Sequence, residues 1–405
     1  MMVVRYLGPE KNGILSYCLA YISLWSVLSD LGSATIIQKE EILKEISTSV
    51  LIGTGLVIGF IGGILTSLGA SVSLFLFNEK KEIILCVLLL GCSYIIKAFY
   101  AIKYILLARL RADLLVKANV TVQFIVAFVK IFFILIKGDL YLFIGCYCIE
   151  ALLQAVIYLR AAQESLGKIS WSFSVPAFKK IILQSWPNII SSVAVVIYMK
   201  SDQIMIRNMM DDATAGIYAA AVTIAEFAQF VPLAIANTML PILTEKFSED
   251  PEEFSLKYID YFEKMLLTIA VIIIVTLLSA WILVYIMYGS AYIKAVPIVR
   301  MYALSEIFVA IGLAEGGYIN LHRLQKKHMC VTCIAAGINI LLNYVLISKF
   351  GCEGAVVATI VAMSLQTVIL YPYWKDTRQM IKLLGYAFLF RNTRKQLKNV
   401  FGRKS

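Results

Sequence analysis

Charged residues and histidines are scarce in this chain. Of its 405 residues, 16% are charged, 60% are hydrophobic and only two are histidines. So apolar a composition excludes a soluble domain of ordinary type. The sequence also lacks a G-x-x-x-x-G-K-[ST] phosphate loop, which excludes an ATPase of that type.

The eight cysteines do not form a recognisable disulfide framework. Nearly all of them lie in or beside apolar runs, where a thiol packs as a small hydrophobic group. Cys330 and Cys333 have the spacing of a metal or redox motif, but their segment is apolar, and His322 and His328 are the only histidines in the chain. We therefore predict two packed cysteines one helical turn apart, with no bound metal or cofactor.

Apolar runs of about 20 residues recur along the chain, each long enough to cross roughly 30 Å of hydrocarbon as a helix. Helices are expected because lipid offers no partner for an open backbone N–H or C=O group, and a barrel would need short alternating segments. About 11 spans are predicted. They cover residues 13–37, 49–77, 83–107, 115–136, 140–159, 181–199, 215–240, 261–288, 296–320, 329–348 and 355–374.

Most Lys and Arg residues collect in one alternating set of links, which places that set and the C-terminus in the cytoplasm. This topology accounts for the net charge of +11, so nucleic-acid binding is not expected. An inside C-terminus with an odd span count leaves the N-terminus outside. Residues 1–4 look like the stub of a further apolar helix, so we expect about 12 spans in the natural protein.

The chain resembles itself weakly at an offset of about 200 residues, as in Gly13-Ile14 and Gly216-Ile217. Such echoes predict two pseudo-symmetric lobes with a substrate site between them. The predicted N-terminal lobe, lacking its first helix, is 1–180, and the C-terminal lobe is 181–374. A basic cytoplasmic tail, 375–405, would suit anionic lipid headgroups.

Polar residues recur at helical spacing inside several apolar spans. A charge at mid-bilayer costs roughly 2.5 to 3.5 kcal/mol, so these residues are expected to face a wet cavity or a partner. Amides and carboxylates suit sugar hydroxyls, and cationic groups suit a diphosphate. The predicted substrate-cavity residues are Lys97, Lys130, Glu150, Gln154, Asn188, Asp202, Glu226, Gln229, Arg300 and Glu306.

Two other interpretations of these residues stay open. Lys97 or Lys130 could pair with Glu150, and Arg300 with Glu306, as structural contacts between helices. Separately, the carboxylates Asp202, Glu226 and Glu306 could bind a proton or cation and couple transport to an ion gradient.

Several motifs resemble those of bacterial polysaccharide flippases of the O-antigen (Wzx) type, and the resemblance covers nearly the whole chain. The motifs are Arg5-Tyr6-Leu7-Gly8-Pro9-Glu10-x-x-Gly13, Asp30-Leu31-Gly32, Ser201-Asp202-Gln203-Ile204, Ala215-Gly216-Ile217-Tyr218-Ala219-Ala220, Leu342-Asn343-Tyr344-Val345-Leu346-Ile347 and Lys349-Phe350-Gly351-x-x-Gly354-Ala355.

The resemblance implies an all-α, MATE-like transmembrane bundle of the multidrug/oligosaccharidyl-lipid/polysaccharide exporter superfamily, with two lobes and alternating access. Such a protein moves an undecaprenyl-diphosphate-linked oligosaccharide, an O-antigen or other surface-polysaccharide repeat unit, from the cytoplasmic to the periplasmic leaflet of the bacterial inner membrane. It is a transporter rather than an enzyme, and we expect a monomer in the lipid bilayer. A polysaccharide polymerase and a chain-length regulator are candidate protein partners.

Two alternative functions remain at this point. An ion-coupled multidrug exporter would share the fold, although mid-membrane Lys97 and Lys130 argue against organic cations as cargo. A membrane polysaccharide polymerase or glycosyltransferase would need catalytic groups on a sizeable extramembrane loop, and the predicted links are short.

Overall fold

The computed structural model describes residues 1–167 and 170–389, and every regular element in that part of the chain is helical. The α-helices are α1 (Met2–Ser26), α2 (Ala34–Leu43), α3 (Thr48–Leu76), α4 (Lys81–Ile96), α5 (Tyr100–Ala108), α6 (Ala112–Leu135), α7 (Leu140–Leu166), α8 (Val175–Met209), α9 (Asp212–Phe227), α10 (Phe230–Glu249), α11 (Pro251–Tyr288), α12 (Ala295–Leu321), α13 (Gln325–Ser364) and α14 (Arg378–Phe388).

Eight helical segments within the described residues are long and apolar enough to cross a membrane. Lipid favours such helices because each satisfies its own backbone hydrogen bonds. They are Thr48–Leu76, Lys81–Ala108, Ala112–Leu135, Leu140–Leu166, Asp212–Phe247, Glu252–Tyr288, Ala295–Leu321 and Gln325–Tyr373.

The segment Gln325–Tyr373 has 49 residues, whereas about 20 suffice for one crossing. Its helix α13 is interrupted at Gly351, where φ is 60°, so the segment corresponds to two predicted spans. Helices α1 and α8, of 25 and 35 residues, are also long enough to cross. Each predicted span therefore overlaps at least one of these helices, and the multi-span, all-α fold is confirmed.

The predicted boundary of the first span, 13–37, is wrong. Helix α1 ends at Ser26, and α2 begins only at Ala34. Leu31 and Gly32 between them have φ values of 48° and 66°, which ends the helical path. The apolar pattern continues past this turn because α2 buries Ile37 in a core formed with α3 and α5.

The chain folds as two compact units, Met1–Arg207 and Asn208–Ser405. Helix α8 lies with the first unit up to Arg207. The predicted division into transport lobes at residue 180 stays a prediction. The tail after Leu389, with most of its predicted basic residues, lies outside the described residues.

Close packing of α3 shapes the first unit. A Cβ added at Gly63 would lie 2.6 Å from the Tyr94 carbonyl oxygen, and one at Gly59 would lie 2.6 Å from the Ala98 Cα. Such distances are below van der Waals contact, so glycine is needed at both positions. The two glycines bring α3 against the chain on either side of Lys97.

Aromatic side chains fill the core of the second unit, mainly between α11 and α12. The ring centroid of Tyr258 lies 4.8 Å from that of Phe262 and 5.4 Å from that of Tyr318. His322 stacks on Tyr318 with a centroid distance of 3.7 Å. The amphipathic helix α14 buries Leu384 and neighbouring apolar residues in the same cluster.

Candidate functional site

Lys97 lies at a break within a membrane-spanning segment of the first unit. Helix α4 ends at Ile96, a 3₁₀ turn covers Lys97–Phe99, and α5 begins at Tyr100. The Lys97 Nζ atom lies 4.2 Å from the centroid of the Tyr94 ring, a cation–π contact. Broken transmembrane helices commonly form the substrate and ion sites of transporters.

A cavity of about 200 Å³ opens beside this break. It is lined by Lys97, Asp30 and three tyrosines, Tyr94, Tyr100 and Tyr104, together with smaller side chains. The Tyr104 hydroxyl donates to Asp30 Oδ2 at 3.1 Å, and Gly32 N donates to Asp30 Oδ1 at 3.0 Å. The cavity thus combines a cation, a hydrogen-bonded carboxylate and aromatic hydroxyls.

Predicted polar residues of α7 make contacts with α5 and α6. Gln154 accepts a hydrogen bond from the Tyr100 hydroxyl, which links it to the cavity lining. Glu150 Oε1 accepts from Gln123 Nε2 at 2.8 Å. Lys130 Nζ lies 5.4 Å from the Tyr147 ring centroid. These contacts connect three predicted site residues to neighbouring helices.

Neither lysine forms the alternative ion pair with Glu150. Among the described residues, Lys97 and Lys130 both contact aromatic rings and lie outside ion-pair distance of that carboxylate. The Tyr158 hydroxyl, on the next turn of α7, donates to Asn119 Oδ1 at 2.8 Å. Glu150, Gln154 and Tyr158 therefore have neutral hydrogen-bond partners, and neither lysine is held in an ion pair within the described residues.

A second polar group lies at a helix break in the second unit. Helix α9 ends at Phe227 and α10 begins at Phe230, with Gln229 between them. Gln229 Nε2 donates to Glu306 Oε1 at 3.1 Å, and Glu226 acts electrostatically on the same carboxyl. The other oxygen, Glu306 Oε2, is buried without a hydrogen-bond partner among the described residues. Three predicted residues thus converge here.

The remaining predicted residues do not join either group. Arg300 is exposed, and its Nε atom donates to the Leu277 carbonyl oxygen at 3.3 Å rather than pairing with Glu306. Asp202 is buried in α8, where its Oδ1 accepts from Gln203 N at 2.7 Å. The side chain of Asn188 lies outside the described residues.

Sequence reasoning did not assign Asp30, Tyr100 or Asn119 to the site. Asp30 was visible only as part of the turn motif with Leu31 and Gly32. Tyr100 lies three residues after Lys97 and four before Tyr104, which is helical spacing, so the sequence carried a signal for it that the predicted set of cavity residues did not use. Asn119 became identifiable only through its hydrogen bond to Tyr158.

Several solved structures are similar to this chain in fold. An inward-facing multidrug resistance MATE family transporter of the MOP superfamily superposes with a TM-score of 0.71 at 15% identity, covering 95% of this chain and 93% of the other. The lipid II flippase MurJ, in an inward closed conformation, gives 0.65 at 15% identity, with 95% and 89% covered. These likenesses establish a MATE-like fold.

The probable low-salt glycan biosynthesis flippase Agl15 of Haloferax volcanii is 25% identical over 209 residues, which cover 50% of this chain and 44% of that protein. The chain thus spans less than half the length of this curated relative. The family described as polysaccharide biosynthesis protein matches residues 2–297, most of the chain. The predicted resemblance to polysaccharide exporters is confirmed, and the chain is a multi-span membrane protein that belongs to the polysaccharide biosynthesis protein family.

Proposed function

We propose that this protein is a flippase that moves an undecaprenyl-diphosphate-linked oligosaccharide from the cytoplasmic to the periplasmic leaflet of a bacterial inner membrane. The supporting observation is the cavity at the Lys97 break, where a cation lies among three tyrosines. A diphosphate attracts an ammonium group, and tyrosine offers both a ring for sugar faces and a hydroxyl for sugar hydroxyls.

Lys130 extends this proposal to a second position on α6. Its ammonium group contacts Tyr147 and has no carboxylate within ion-pair distance among the described residues. Two lysines that form no ion pair among the described residues would hold the diphosphate in turn as the lipid headgroup passes. Family membership and the fold of a lipid II flippase support a lipid-linked cargo.

The group formed by Glu226, Gln229 and Glu306 is proposed as a coupling site for a proton or cation. Among the described residues, one buried oxygen of Glu306 has no hydrogen-bond partner, and a carboxyl in this setting suits a proton or a small cation. We also propose that the basic tail, residues 375–405, binds anionic lipid headgroups. A polysaccharide polymerase and a chain-length regulator are the proposed protein partners.

The test is a deletion strain complemented with variants at equal expression. Lys97→Ala should reduce surface polysaccharide and leave lipid-linked precursor on the cytoplasmic face, whereas Lys117→Ala, on an exposed lysine of α6, should behave as wild type. Normal surface polysaccharide in the deletion strain would contradict the proposed function. Restored drug tolerance without any change in polysaccharide would favour the multidrug exporter instead.

A further inference from the structure

Glu315 is a buried carboxyl that the proposed transport site does not use. It lies on α12, six residues before the helix ends at Leu321, and is 1% exposed. Its Oε1 atom has no hydrogen-bond partner, and among the described residues no Lys or Arg side chain pairs with it. Burying an unpaired carboxylate costs much more free energy than burying a neutral carboxyl group.

The titratable groups that face Glu315 come from several elements. Tyr258 on α11 and Tyr371 in the 3₁₀ turn Tyr371–Tyr373 both interact electrostatically with it. The Tyr258 hydroxyl donates its proton to the Ala314 carbonyl oxygen at 2.7 Å, so it is not free to donate to Glu315. Tyr371 is the other hydroxyl of the pair, and among the described residues it makes no hydrogen bond to Glu315 Oε1.

Among the described residues, the charge that α9 brings to α12 acts on Glu306 and not on Glu315. On α12 itself, Tyr318 and His322 stack on each other one and two turns further along. Tyr261 belongs to the same core from α11. In the described part of the chain, no Lys, Arg, Asp or Glu side chain acts electrostatically on the Glu315 carboxyl.

Tyr371 connects this core to a histidine near the end of the helix pair. Its hydroxyl and His328 Nδ1 lie 2.7 Å apart. His328 is in the first turn of α13, next to the turn that links α12 to α13, and is half-buried. The chain has only two histidines, and both lie at this end of α12 and α13. Imidazole is the side chain that gains and loses a proton near neutral pH.

We propose that Glu315 is a proton-binding site that is loaded from the α12–α13 turn through His328 and Tyr371. The proton on His328 Nδ1 passes along the 2.7 Å hydrogen bond to the Tyr371 oxygen, and the Tyr371 hydroxyl gives its own proton to the Glu315 carboxylate once side-chain movement brings the two into hydrogen-bond contact, a contact that Glu315 Oε1 does not make among the described residues. Neutral His328, Tyr371 and neutral Glu315 result. Six residues of helix, roughly 9 Å, separate Glu315 from the end of α12, a short distance for such a relay.

The inference rests on the proposed function, because a proton that enters and leaves a buried carboxyl can drive a transporter between states. The predicted topology places the α12–α13 turn on the cytoplasmic side. Glu315 would then exchange protons with the cytoplasm, while Glu306 lies nine residues earlier on the same helix, toward its other end.

Infrared difference spectroscopy of the full-length purified protein in lipid tests proton binding without any substrate. At neutral pH the wild-type protein should show a carbonyl band of protonated Glu315, which Glu315→Gln should remove while any band from Glu306 stays. Glu353→Gln, at an exposed carboxylate of α13, is the matched control and should leave the band intact. Glu315→Asp keeps a carboxyl group and should show the band at a shifted position. That result would show that loss of the band in Glu315→Gln comes from the missing carboxyl group and not from a folding defect.

The proposed route through His328 and Tyr371 is tested by a jump to alkaline pH that deprotonates Glu315. His328→Gln and Tyr371→Phe should keep the band but slow its response by roughly a hundredfold. An unchanged spectrum in Glu315→Gln would overturn the site, and wild-type kinetics in both relay variants would overturn the route. If the infrared results hold while the deletion strain displays normal polysaccharide, the proposed function fails and the proton site stands.

Discussion

Arg207, near the end of α8, forms a two-point ion pair with Glu79 in the turn between α3 and α4. One guanidinium nitrogen contacts Glu79 Oε2, and the other lies 3.1 Å from Oε1. The guanidinium carbon also lies 4.5 Å from the centroid of the Tyr17 ring. Both charged side chains are mostly buried, so the pair joins α8 to α1 and to the α3–α4 turn in a setting where water screens it weakly.

Glu79→Gln should lower the free energy of unfolding by about 2 kcal/mol, because Arg207 loses its charged hydrogen-bond acceptor. Burial acts to raise the pKa of Glu79, but hydrogen bonds from Arg207 and from Lys80 N outweigh it, and the pKa lies below its ordinary value. The stabilisation is therefore complete above the ordinary pKa of 4.5 and is lost as the pH falls through the lowered native pKa.

Thermal unfolding in detergent measures both effects. The wild type should lose more stability than Glu79→Gln when the pH is lowered from neutral to below about 4. Glu82→Gln, at an exposed glutamate of the next turn, should match the wild type at each pH. Equal acid sensitivity of the wild type and Glu79→Gln would show that this ion pair does not contribute.

Lys180, near the other end of α8, pairs with two glutamates of different burial. Its Nζ atom lies 2.8 Å from Glu40 Oε2 and 2.6 Å from Glu45 Oε2. The Glu40 side chain is 1% exposed, whereas that of Glu45 is 58% exposed. Removing a partner from a buried charge costs more than removing a surface contact.

Lys180→Ala should therefore lower the melting temperature more than Glu45→Ala does. Glu40→Gln combined with Lys180→Ala should recover part of the loss, since no buried charge is then left without a partner. A double-mutant comparison of melting temperatures in detergent measures this coupling. If Glu40→Gln lowers the melting temperature of Lys180→Ala further, Glu40 has another stabilising partner and the prediction is wrong.

Gly63→Ala should disturb the helix break that carries Lys97. The new Cβ would lie 2.6 Å from the Tyr94 carbonyl oxygen and 2.7 Å from the Ile95 Cα, so backbone must move. We expect a loss of about 1–3 kcal/mol in stability together with reduced surface polysaccharide in complemented cells. Gly145→Ala is the matched control on α7, because its Cβ would meet no atom within 4 Å. Equal behaviour of the two variants would contradict the role of close packing.

The spans were predictable from sequence because lipid forces long apolar segments into helices. The polar stripe of α7 was predictable for the same reason: the helix is regular, so Glu150, Gln154 and Tyr158 keep their spacing and all make contacts to neighbouring helices. Periodicity is a reliable guide wherever a helix is unbroken.

The helix breaks were not predictable from sequence. The turn at Lys97–Phe99 contains neither glycine nor proline, and it forms where α3 packs closely against it through Gly59 and Gly63. Asp30 joins Lys97 in one cavity only because of this tertiary packing. Glu315 was missed because a single acidic residue before Gly316 and Gly317 gives no periodic signal.

Asp30 and Lys97 line the same cavity, so the carboxylate should oppose the binding of a diphosphate that the lysine attracts. Asp30→Asn keeps an oxygen that can accept the Tyr104 hydrogen bond but removes the negative charge. We expect this variant to bind a short polyprenyl diphosphate, such as farnesyl diphosphate, about tenfold more tightly, and Lys97→Ala to bind it about tenfold more weakly.

Titration of the purified protein by thermal shift or intrinsic fluorescence measures these affinities, with Lys117→Ala as the control for charge elsewhere on the chain. Raising the salt concentration should shrink the difference between Asp30→Asn and the wild type only slightly, because partly buried charges are weakly screened. Tyr104→Phe removes the hydrogen bond to Asp30 Oδ2 but leaves the negative charge of Asp30 in place. This variant should therefore not reproduce the tighter binding of Asp30→Asn. Tighter binding in Tyr104→Phe, or none in Asp30→Asn, would mean that the headgroup is held away from this cavity.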